Sequence, residues 1–438
     1  MKRSMKKSSI IAMLALMAVI AVSCGKKTVP GENLAANDTE DQKMILLFAP
    51  IERAKPDAEN VARTAFDKTI IMAEEELDLR VEYNGYTSEN YQEKSYDDVS
   101  LDRIRSEMDD LYLLNPDVLQ KAAKEGRLAD LSGLDCAKNL REVARTANTV
   151  DGKLVGIPQE VVVYGLFVNK DMFKEYGLKL PNTPEEFLEC CRVFKEKGIE
   201  YPIGANRWWL ETFVFAQAYA DMYNGGDPEA EIAALNKGER KYSDYMRKGF
   251  EYLKELIDLG YIDARTALTY EAIEGEGADF LAQKTPIVMA YWGAANAETA
   301  YGKPDFNMEV IGFPSDHGQM PVVSMTGMSV LENAQHREDT LDVLEIILSD
   351  EALRVYAETN KVISPSKNVE VECIPALKPL NDLVNEGTYV LASNAGMEVE
   401  QWGNTCLIVR ELMGGASVDE CMAMFDKLQE ETLKSDDN

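Results

Sequence analysis

Short apolar runs alternate with amphipathic segments through the first part of the chain. Residues 43–50 (KMILLFAP), 79–83 and 110–114 (DLYLL) are predicted to be strands, because each is a short apolar run bounded by polar or turn residues. Helical spacing of apolar positions predicts helices at residues 60–76 and 118–125. Strands that alternate with helices favour an α/β fold built on a parallel sheet.

The same alternation continues to the C-terminus. Further strands are predicted at residues 154–158, 161–169, 285–292 and 308–314, and further helices at residues 245–259, 340–348 and 350–359. Two more helices begin with a capping box, Thr183 with Glu186 and Ser417 with Glu420. Their predicted inner faces are Phe187, Cys191 and Phe194 in the first, and Val418, Cys421, Phe425 and Leu428 in the second.

The N-terminus carries the pattern of an export signal. Four cations lie within the first seven residues, and an apolar run follows over residues 10–21, which is too short to span a bilayer comfortably. The sequence AVSCG at residues 21–25 resembles a bacterial lipobox, in which Cys24 is acylated and becomes the first mature residue. An ordinary secretory cleavage site is the alternative. Residues 26–42 are polar and aperiodic, so we expect a tether there.

Charge and cysteine content exclude several classes of function. The chain has 438 residues and carries 76 Asp and Glu against 46 Lys and Arg, for a net charge of −30. Such a chain repels phosphate backbones, so a nucleic-acid partner is not expected. The six cysteines after Cys24 are scattered and fit neither a disulfide framework nor a zinc site, and their pairing stays open. The length suggests two or more lobes.

Five segments in order resemble the family 1 extracellular solute-binding proteins, the group that includes maltose-binding protein. The strongest match is DGKLVGIPQEVVVYGLFVNKDMFKEYGLKLPNTPEEF (residues 151–187), in which Val168 replaces the usual Tyr. The other segments are DLYLLNPDVLQKAAKEGRLADLSGL (110–134), KTPIVMAYWG (284–293), residues 329–368 and GGASVDECMAMFDKL (414–428). The resemblance covers nearly the whole mature chain.

The resemblance implies a two-lobed, periplasmic-binding-protein-like α/β fold of type II, with a ligand cleft between discontinuous lobes. Carried onto this sequence, residues 1–23 are the signal peptide and 24–42 the tether. The N-lobe would comprise 43–160 and 315–360, and the C-lobe 161–314 and 361–438. Chain crossings are expected near residues 159–163, 310–314 and 360–363.

Aromatic side chains are the first candidates for the cleft, because the apolar face of a sugar ring stacks on flat aromatic rings. The four tryptophans fall where the resemblance puts the cleft: Trp208, Trp209, Trp292 and Trp402. Tyr164 on the crossing strand is a further candidate. Trp208 and Trp209 are adjacent, so we expect one of them to point inward. For each tryptophan, packing in the core is the alternative.

Polar candidates are those that lie at strand ends or beside the tryptophans, where they can bind sugar hydroxyls. They are Asn115, Glu160, Asn206, Arg207, Glu400 and Gln401. For each, a solvated loop side chain is the alternative. A Tyr-rich stretch with Tyr83, Tyr86, Tyr91 and Tyr96 is a candidate for the cleft rim.

The sequence therefore predicts a lipid-anchored, extracytoplasmic and monomeric binding protein. It would capture a mono- or oligosaccharide and deliver it to the permease subunits of an ABC transporter by hinge closure. No cofactor, metal or catalytic residue is expected, since His317 and His336 have no ligand spacing around them and no P-loop, HExxH or GxSxG motif is present. Alternatives are a binder of a polyamine, peptide or amino acid, a sensor that presents ligand to a membrane kinase, and a carboxylate-based glycoside hydrolase.

Overall fold

The computed structural model describes residues 43–51, 53, 64–92, 94–206, 209–269, 274–290 and 304–435. Its strands, in chain order β1 to β14, are Met44–Ala49, Arg80–Gly85, Leu111–Leu114, Thr149–Val150, Lys153–Leu154, Val162–Asn169, Ile203–Gly204, Ile287–Ala290, Met308–Ile311, Phe313–Ser315, Gly318–Met320, Val322–Ser324, Gly327–Val330 and Val390–Leu391.

The helices alternate with these strands. In chain order α1 to α18 they are Ala65–Leu77, Tyr96–Arg105, Pro116–Lys124, Asp135–Lys138, Glu142–Ala147, Lys170–Glu175, Pro184–Glu196, Glu211–Ala218, Ala220–Tyr223, Pro228–Asn236, Tyr242–Asp258, Ala264–Thr269, Glu274–Leu281, Arg337–Ile347, Asp350–Asn360, Lys378–Asn385, Trp402–Met413 and Val418–Ser435. A 3-10 helix, Pro375–Leu377, precedes α16.

The first lobe is built on a sheet with strand order β13-β3-β1-β2. Strand β1 is parallel to both β2 and β3, whereas β13 is antiparallel to β3. Side chains of β1 alternate between the two faces: Ile45 and Leu47 lie in the core with α1 and α14, and Phe48 lies in the core with α2 and α3. Both faces of the sheet are therefore covered by helices.

The second lobe surrounds the eight-residue strand β6, which is buried along its whole length. The order of its sheet is β14-β12-β6-β8-β7, and β9 also pairs with β6. Strands β8, β9 and β12 all run antiparallel to β6. The parallel sheet expected from the alternation of elements is thus wrong in this lobe, because several strands return beside β6 in the opposite direction.

Most predicted elements are confirmed, with one clear exception. Residues 154–158 do not form a strand: Lys153–Leu154 is one arm of a two-residue hairpin with β4, and Ile157 makes only an isolated bridge to Met328. The turn at Asp151 and Gly152, both at positive φ, joins the two arms of this hairpin.

Capping predicted from sequence is confirmed for α18 and partly for α7. The Ser417 amide and hydroxyl both donate to the Glu420 carboxylate at 2.8 Å, and the Glu420 amide donates back to the Ser417 hydroxyl at 3.3 Å. In α7 the Thr183 hydroxyl accepts from the Glu186 amide, but the Glu186 carboxylate accepts from the amide of Asn182 rather than from Thr183. Predicted inner faces of both helices are buried or packed on the core.

Chain segments that pass between the lobes lie side by side. Val161 donates its amide to the carbonyl of Ile363 at 2.9 Å, which joins the segment before β6 to the segment after α15. A third segment, residues 392–401, leaves β14, donates from Ala395 to the Ala147 carbonyl of the first lobe at 3.0 Å, and returns to start α17. These contacts place residues 392–401 along the junction of the two lobes.

None of the six cysteines within the described ranges forms a disulfide, so none of them cross-links the lobes. In the same residues, no helix combines the length and the apolar character needed to cross a bilayer.

Candidate ligand-binding site

Three aromatic side chains from separate elements meet at the second lobe. Tyr164 lies on β6, Trp209 lies two residues before α8, and Trp402 is the first residue of α17. The Tyr164 ring centroid lies 5.2 Å from that of Trp402 and 6.4 Å from that of Trp209. Tyr164 is 8% exposed, while both indoles are partly exposed. We call Tyr164, Trp209 and Trp402 the aromatic cluster.

Local structure fixes each ring of the aromatic cluster. The hydroxyl of Thr212 donates to the Trp209 carbonyl at 2.6 Å and so holds the turn that leads into α8. Trp402 packs on Phe215 of α8, with centroids 5.6 Å apart. The Glu400 carboxylate accepts from the amides of Gly403 and Asn404, which places a negative charge at the N-terminus of α17.

Carboxyl groups from both lobes lie beside the aromatic cluster. Asp117, in the first turn of α3, lies close enough to Glu400 for each carboxyl group to affect the pKa of the other. Burial raises the pKa of both groups, and the negative charges of Glu400 and Asp97 raise the pKa of Asp117 further, whereas Lys121 lowers it. Asn115 donates its amide to Asp97 at 2.6 Å, so this predicted residue is only 5% exposed and belongs to the same acidic group.

Glu160 lies where the chain passes from the first lobe to β6. Its carboxylate accepts a hydrogen bond of 3.4 Å from the Tyr356 hydroxyl on α15. Burial raises the pKa of Glu160 to about 7, because the charged form loses hydration and gains only this one donor. The group therefore changes its charge near neutral pH.

Asn206 and Gln401 lie inside the protein rather than at the surface of the cluster. The Asn206 side-chain amide donates to the carboxylate of Glu276, and burial raises the pKa of Glu276 to about 6. Gln401 is fully buried and donates to the Asn394 carbonyl at 3.2 Å. In this structure both side chains hold loops in place.

Four predicted residues, Cys24, Arg207, Trp208 and Trp292, lie outside the described residues. The tyrosine-rich stretch does not form a cleft rim. Tyr86 and Tyr96 are buried against Phe48 in the core of the first lobe, Tyr91 stacks on Tyr86 with centroids 5.5 Å apart, and Tyr83 donates to Asp67. An alternating strand and the amphipathic helix α2 turn these rings inward, which tyrosine composition alone did not reveal.

The structure adds residues that the sequence prediction missed. Asp117 follows Asn115-Pro116 by one position, and its place in the first turn of a helix after a strand was the available signal. Glu211 on α8 is fully buried, and neither of its carboxyl oxygens has a hydrogen-bond partner among the described residues. Burial raises its pKa well above the ordinary range. No sequence feature distinguished it from a solvated acid.

The arrangement suits binding more than bond cleavage. It offers aromatic faces, carboxyl groups and amides at the junction of two lobes, which is a common place for ligand sites. No group of three or more His, Cys, Asp or Glu within the described ranges is arranged to hold a metal ion. His317 pairs with Asp221 at 2.6 Å on the surface, away from this junction.

Comparison with known proteins agrees with this architecture. A family model described as bacterial extracellular solute-binding protein matches residues 58–353. The galactooligosaccharide-binding protein of Bacillus subtilis (strain 168) is 22% identical over 397 residues, which cover 83% of this chain and 88% of that protein.

Solved structures show the same fold at low sequence identity. A family 1 extracellular solute-binding protein from Bifidobacterium longum subsp. infantis superposes with a TM-score of 0.71 at 17% identity, covering 89% of this chain and 99% of that one. The apo form of RafE from Streptococcus pneumoniae gives 0.68 at 16% identity, covering 89% and 98%.

The family model spans about two thirds of the chain, and the two-sheet architecture matches solved members over nearly their whole length. This agrees with the expectation of a binding protein rather than an enzyme. The chain belongs to the bacterial extracellular solute-binding proteins.

Proposed function

We propose that this protein captures a carbohydrate between its two lobes and delivers it to the permease of an ABC importer by hinge closure. The observation that carries the proposal is the aromatic cluster, in which two partly exposed indoles and one tyrosine converge beside carboxyl groups from the opposite lobe. Indole faces cover the C–H face of a sugar, and carboxylates accept from paired hydroxyls. The galactooligosaccharide-binding relative supports the same ligand class.

We propose Tyr164, Trp209 and Trp402 as the stacking residues, with Glu160 and Asp117 as hydroxyl acceptors. Trp208, Trp292 and Arg207 remain proposed contacts. Three further predicted residues are proposed to support the site without contacting the sugar: Asn115, Asn206 and Gln401. Each of these side chains already hydrogen-bonds to another polar group of the protein.

The lobes are proposed as residues 43–160 with 315–360, and 161–314 with 361–438. The sheets support a small adjustment of this division. Strand β12 pairs with β6 of the second lobe, whereas β13 pairs with β3 of the first. We therefore place that crossing between Ser324 and Gly327 instead of at residue 315.

The cationic N-terminus, the apolar run and the cysteine at residue 24 support an exported protein anchored through acylated Cys24. We propose that residues 1–23 are removed and that residues 24–42 tether a monomeric binding domain to the outer side of the cell membrane. The alternative is that the closed, ligand-bound protein acts as a sensor and presents its ligand to a membrane kinase instead of to a permease.

A thermal-shift panel tests the ligand class. Galacto-, malto- and chito-oligosaccharides and their monosaccharides form one arm, and spermidine, amino acids and a short peptide form the other. A ligand at a hundred times its dissociation constant adds about 2.7 kcal/mol to the stability. A shift with at least one saccharide that Trp402→Ala reduces supports the proposal. A shift confined to spermidine, amino acids or peptide contradicts it.

The same saccharides are used to test whether the protein hydrolyses them. Release of reducing ends is followed over hours with the wild-type chain, and none is expected above the buffer control. Sustained release would support the alternative of a glycoside hydrolase with paired carboxyl groups.

A further inference from the structure

Both lobes contact residues 392–401, which we call the junction segment. Its apolar side chains divide between the two cores. Ala395 is buried with Phe48 in the core of the first lobe, whereas Met397 and Val399 are buried in the core of the second. The junction segment is therefore packed between the lobes rather than on the surface of one of them.

The main chain at Glu398 is fixed to the second lobe. Asn236, the last residue of α10, accepts from the Glu398 amide at 3.1 Å and donates to the Gly396 carbonyl at 2.8 Å. Both hydrogen bonds use one side chain, so they hold this part of the junction segment at a defined place on α10. When the lobes rotate, the main chain at Glu398 moves with the second lobe.

The side chain of Glu398 reaches the first lobe instead. Its carboxylate lies 3.2 Å from the ammonium nitrogen of Lys124, in the last turn of α3. Helix α3 belongs to the first lobe, so this ion pair joins a residue held by one lobe to a residue held by the other. A rotation of the lobes changes the distance between the two charges.

Lys124 has a second carboxylate within its own lobe. Its ammonium nitrogen also lies 3.2 Å from the carboxylate of Asp151, at the turn of the β4–β5 hairpin. The side chain of Asp151 is 69% exposed and that of Glu398 only 15%, so water screens the attraction to Glu398 less. Lys124 therefore keeps a partner when the lobes separate, but it loses the less screened one.

The ion pair lies beside the proposed ligand site. Helix α3 begins with Asp117 of that site and ends with Lys124, and Trp402 of the aromatic cluster follows Glu398 by four residues. Loss of the pair is thus expected to favour separation of the lobes on the side where the ligand binds.

We propose that the ion pair of Lys124 and Glu398 holds the two lobes together, and that Asp151 retains Lys124 when they separate. Lys124 and Glu398 are positioning residues, because they set the balance between open and closed lobes through the junction segment. A ligand that contacts both lobes binds the closed form, so this balance also sets the apparent affinity. The effect on affinity rests on the proposed function, whereas the effect on shape does not.

Small-angle X-ray scattering of the sugar-free chain from residue 24 onwards tests the ion pair. In about 10 mM salt, where the Debye length is about 30 Å, Glu398→Gln should have a larger radius of gyration than the wild type. In about 1 M salt, where that length is about 3 Å, the difference should shrink because the wild type expands. Equal radii in low salt overturn the proposal, as does a difference that is just as large in high salt.

Asp151→Asn should act in the opposite direction. Asparagine tolerates the positive φ of this position, and the substitution leaves Glu398 as the stronger partner of Lys124. Its radius in low salt should be equal to or smaller than that of the wild type. Expansion of Asp151→Asn would contradict the assigned roles of the two carboxylates.

A double-mutant cycle shows whether Lys124 and Glu398 act on each other. Lys124→Met should expand the chain as Glu398→Gln does, and the double variant should expand it no further than either single variant. Expansions that simply add would mean that the two residues act independently, which contradicts the proposal.

Glu125→Gln is the matched control. Glu125 is the chain neighbour of Lys124, and its carboxylate pairs with Arg105 of α2 inside the first lobe. The substitution therefore removes one negative charge beside Lys124 without changing a contact between the lobes. The radius should equal that of the wild type, and expansion here as large as in Glu398→Gln would assign the effect to net charge.

Calorimetry with a saccharide measures the consequence for binding. In low salt Glu398→Gln should weaken the affinity roughly two- to fivefold, the range expected for one partly exposed ion pair, and Glu125→Gln should leave it unchanged. Unchanged affinity of Glu398→Gln would overturn the link between the ion pair and capture. If no saccharide binds, the proposed function fails, yet the scattering result still decides whether the ion pair holds the lobes.

Discussion

At the scale of single residues, the site depends on rings whose faces stay partly open. Trp402 is held between Tyr164 and Phe215 and remains partly exposed, so it can stack on a ligand without rearrangement. We expect Trp402→Ala to weaken saccharide binding by on the order of 2 kcal/mol, about thirtyfold, because a buried aromatic contact is lost. Isothermal titration measures the change.

The control for this substitution is Tyr201→Ala, which removes a ring that is 37% exposed elsewhere in the second lobe. It should leave affinity unchanged, and circular dichroism should show both variants folded. If Trp402→Ala binds saccharide as tightly as the wild type does, the Trp402 indole does not contact the ligand.

Glu160 predicts a dependence of stability on pH. Its pKa in the folded protein is about 7, above the ordinary value near 4.3 of the unfolded chain. The folded state therefore binds more protons between these values, so this residue lowers the free energy of unfolding as the pH rises from 5 to 8, by roughly 2–3 kcal/mol. Chemical denaturation at pH 5 and pH 8 measures the free energy of unfolding. In Glu160→Gln the decrease between the two pH values should be smaller, because the contribution of Glu160 is absent.

Glu358→Gln is the matched control, because Glu358 is an exposed carboxylate on the same helix as Tyr356. It should keep the wild-type decrease. A decrease of equal size in Glu160→Gln would show that another group causes it.

At the scale of elements, the helix α8 that supports the aromatic cluster packs closely on α11. A Cβ atom at Gly249 of α11 would lie 2.5 Å from the Val214 carbonyl oxygen and 2.8 Å from its Cα, so the two backbones touch at this point. We expect Gly249→Ala to destabilise the fold by roughly 1–3 kcal/mol through overpacking, although alanine is ordinarily the better helix former. Urea denaturation measures the loss.

Glu251→Ala on the exposed side of α11 serves as the reference and should change stability by less than about 0.5 kcal/mol. A stabilised Gly249→Ala would mean that helix propensity outweighs the contact between the two helices.

At the scale of the whole molecule, the proposed anchor determines where the protein resides. Cys24→Ala should abolish incorporation of labelled palmitate and shift the protein out of the acylated membrane fraction, because acyl chains on this cysteine supply the membrane affinity. Cys136→Ala, which removes an unpaired cysteine of the first lobe, should incorporate label as the wild type does. Labelling that survives Cys24→Ala would contradict the lipobox interpretation.

The sequence by itself determined the order of elements, the capped helices α7 and α18, the family and the class of binding protein. These depend on local signals, namely apolar spacing, capping side chains and turn residues, which act within a few positions. Tertiary structure alone decided that β6 has antiparallel neighbours, that Tyr86 and Tyr96 are core residues, and that Asp117 meets Glu400. Those facts depend on segments that are far apart in the chain, because burial and the effect of one charge on another arise only when such segments come into contact.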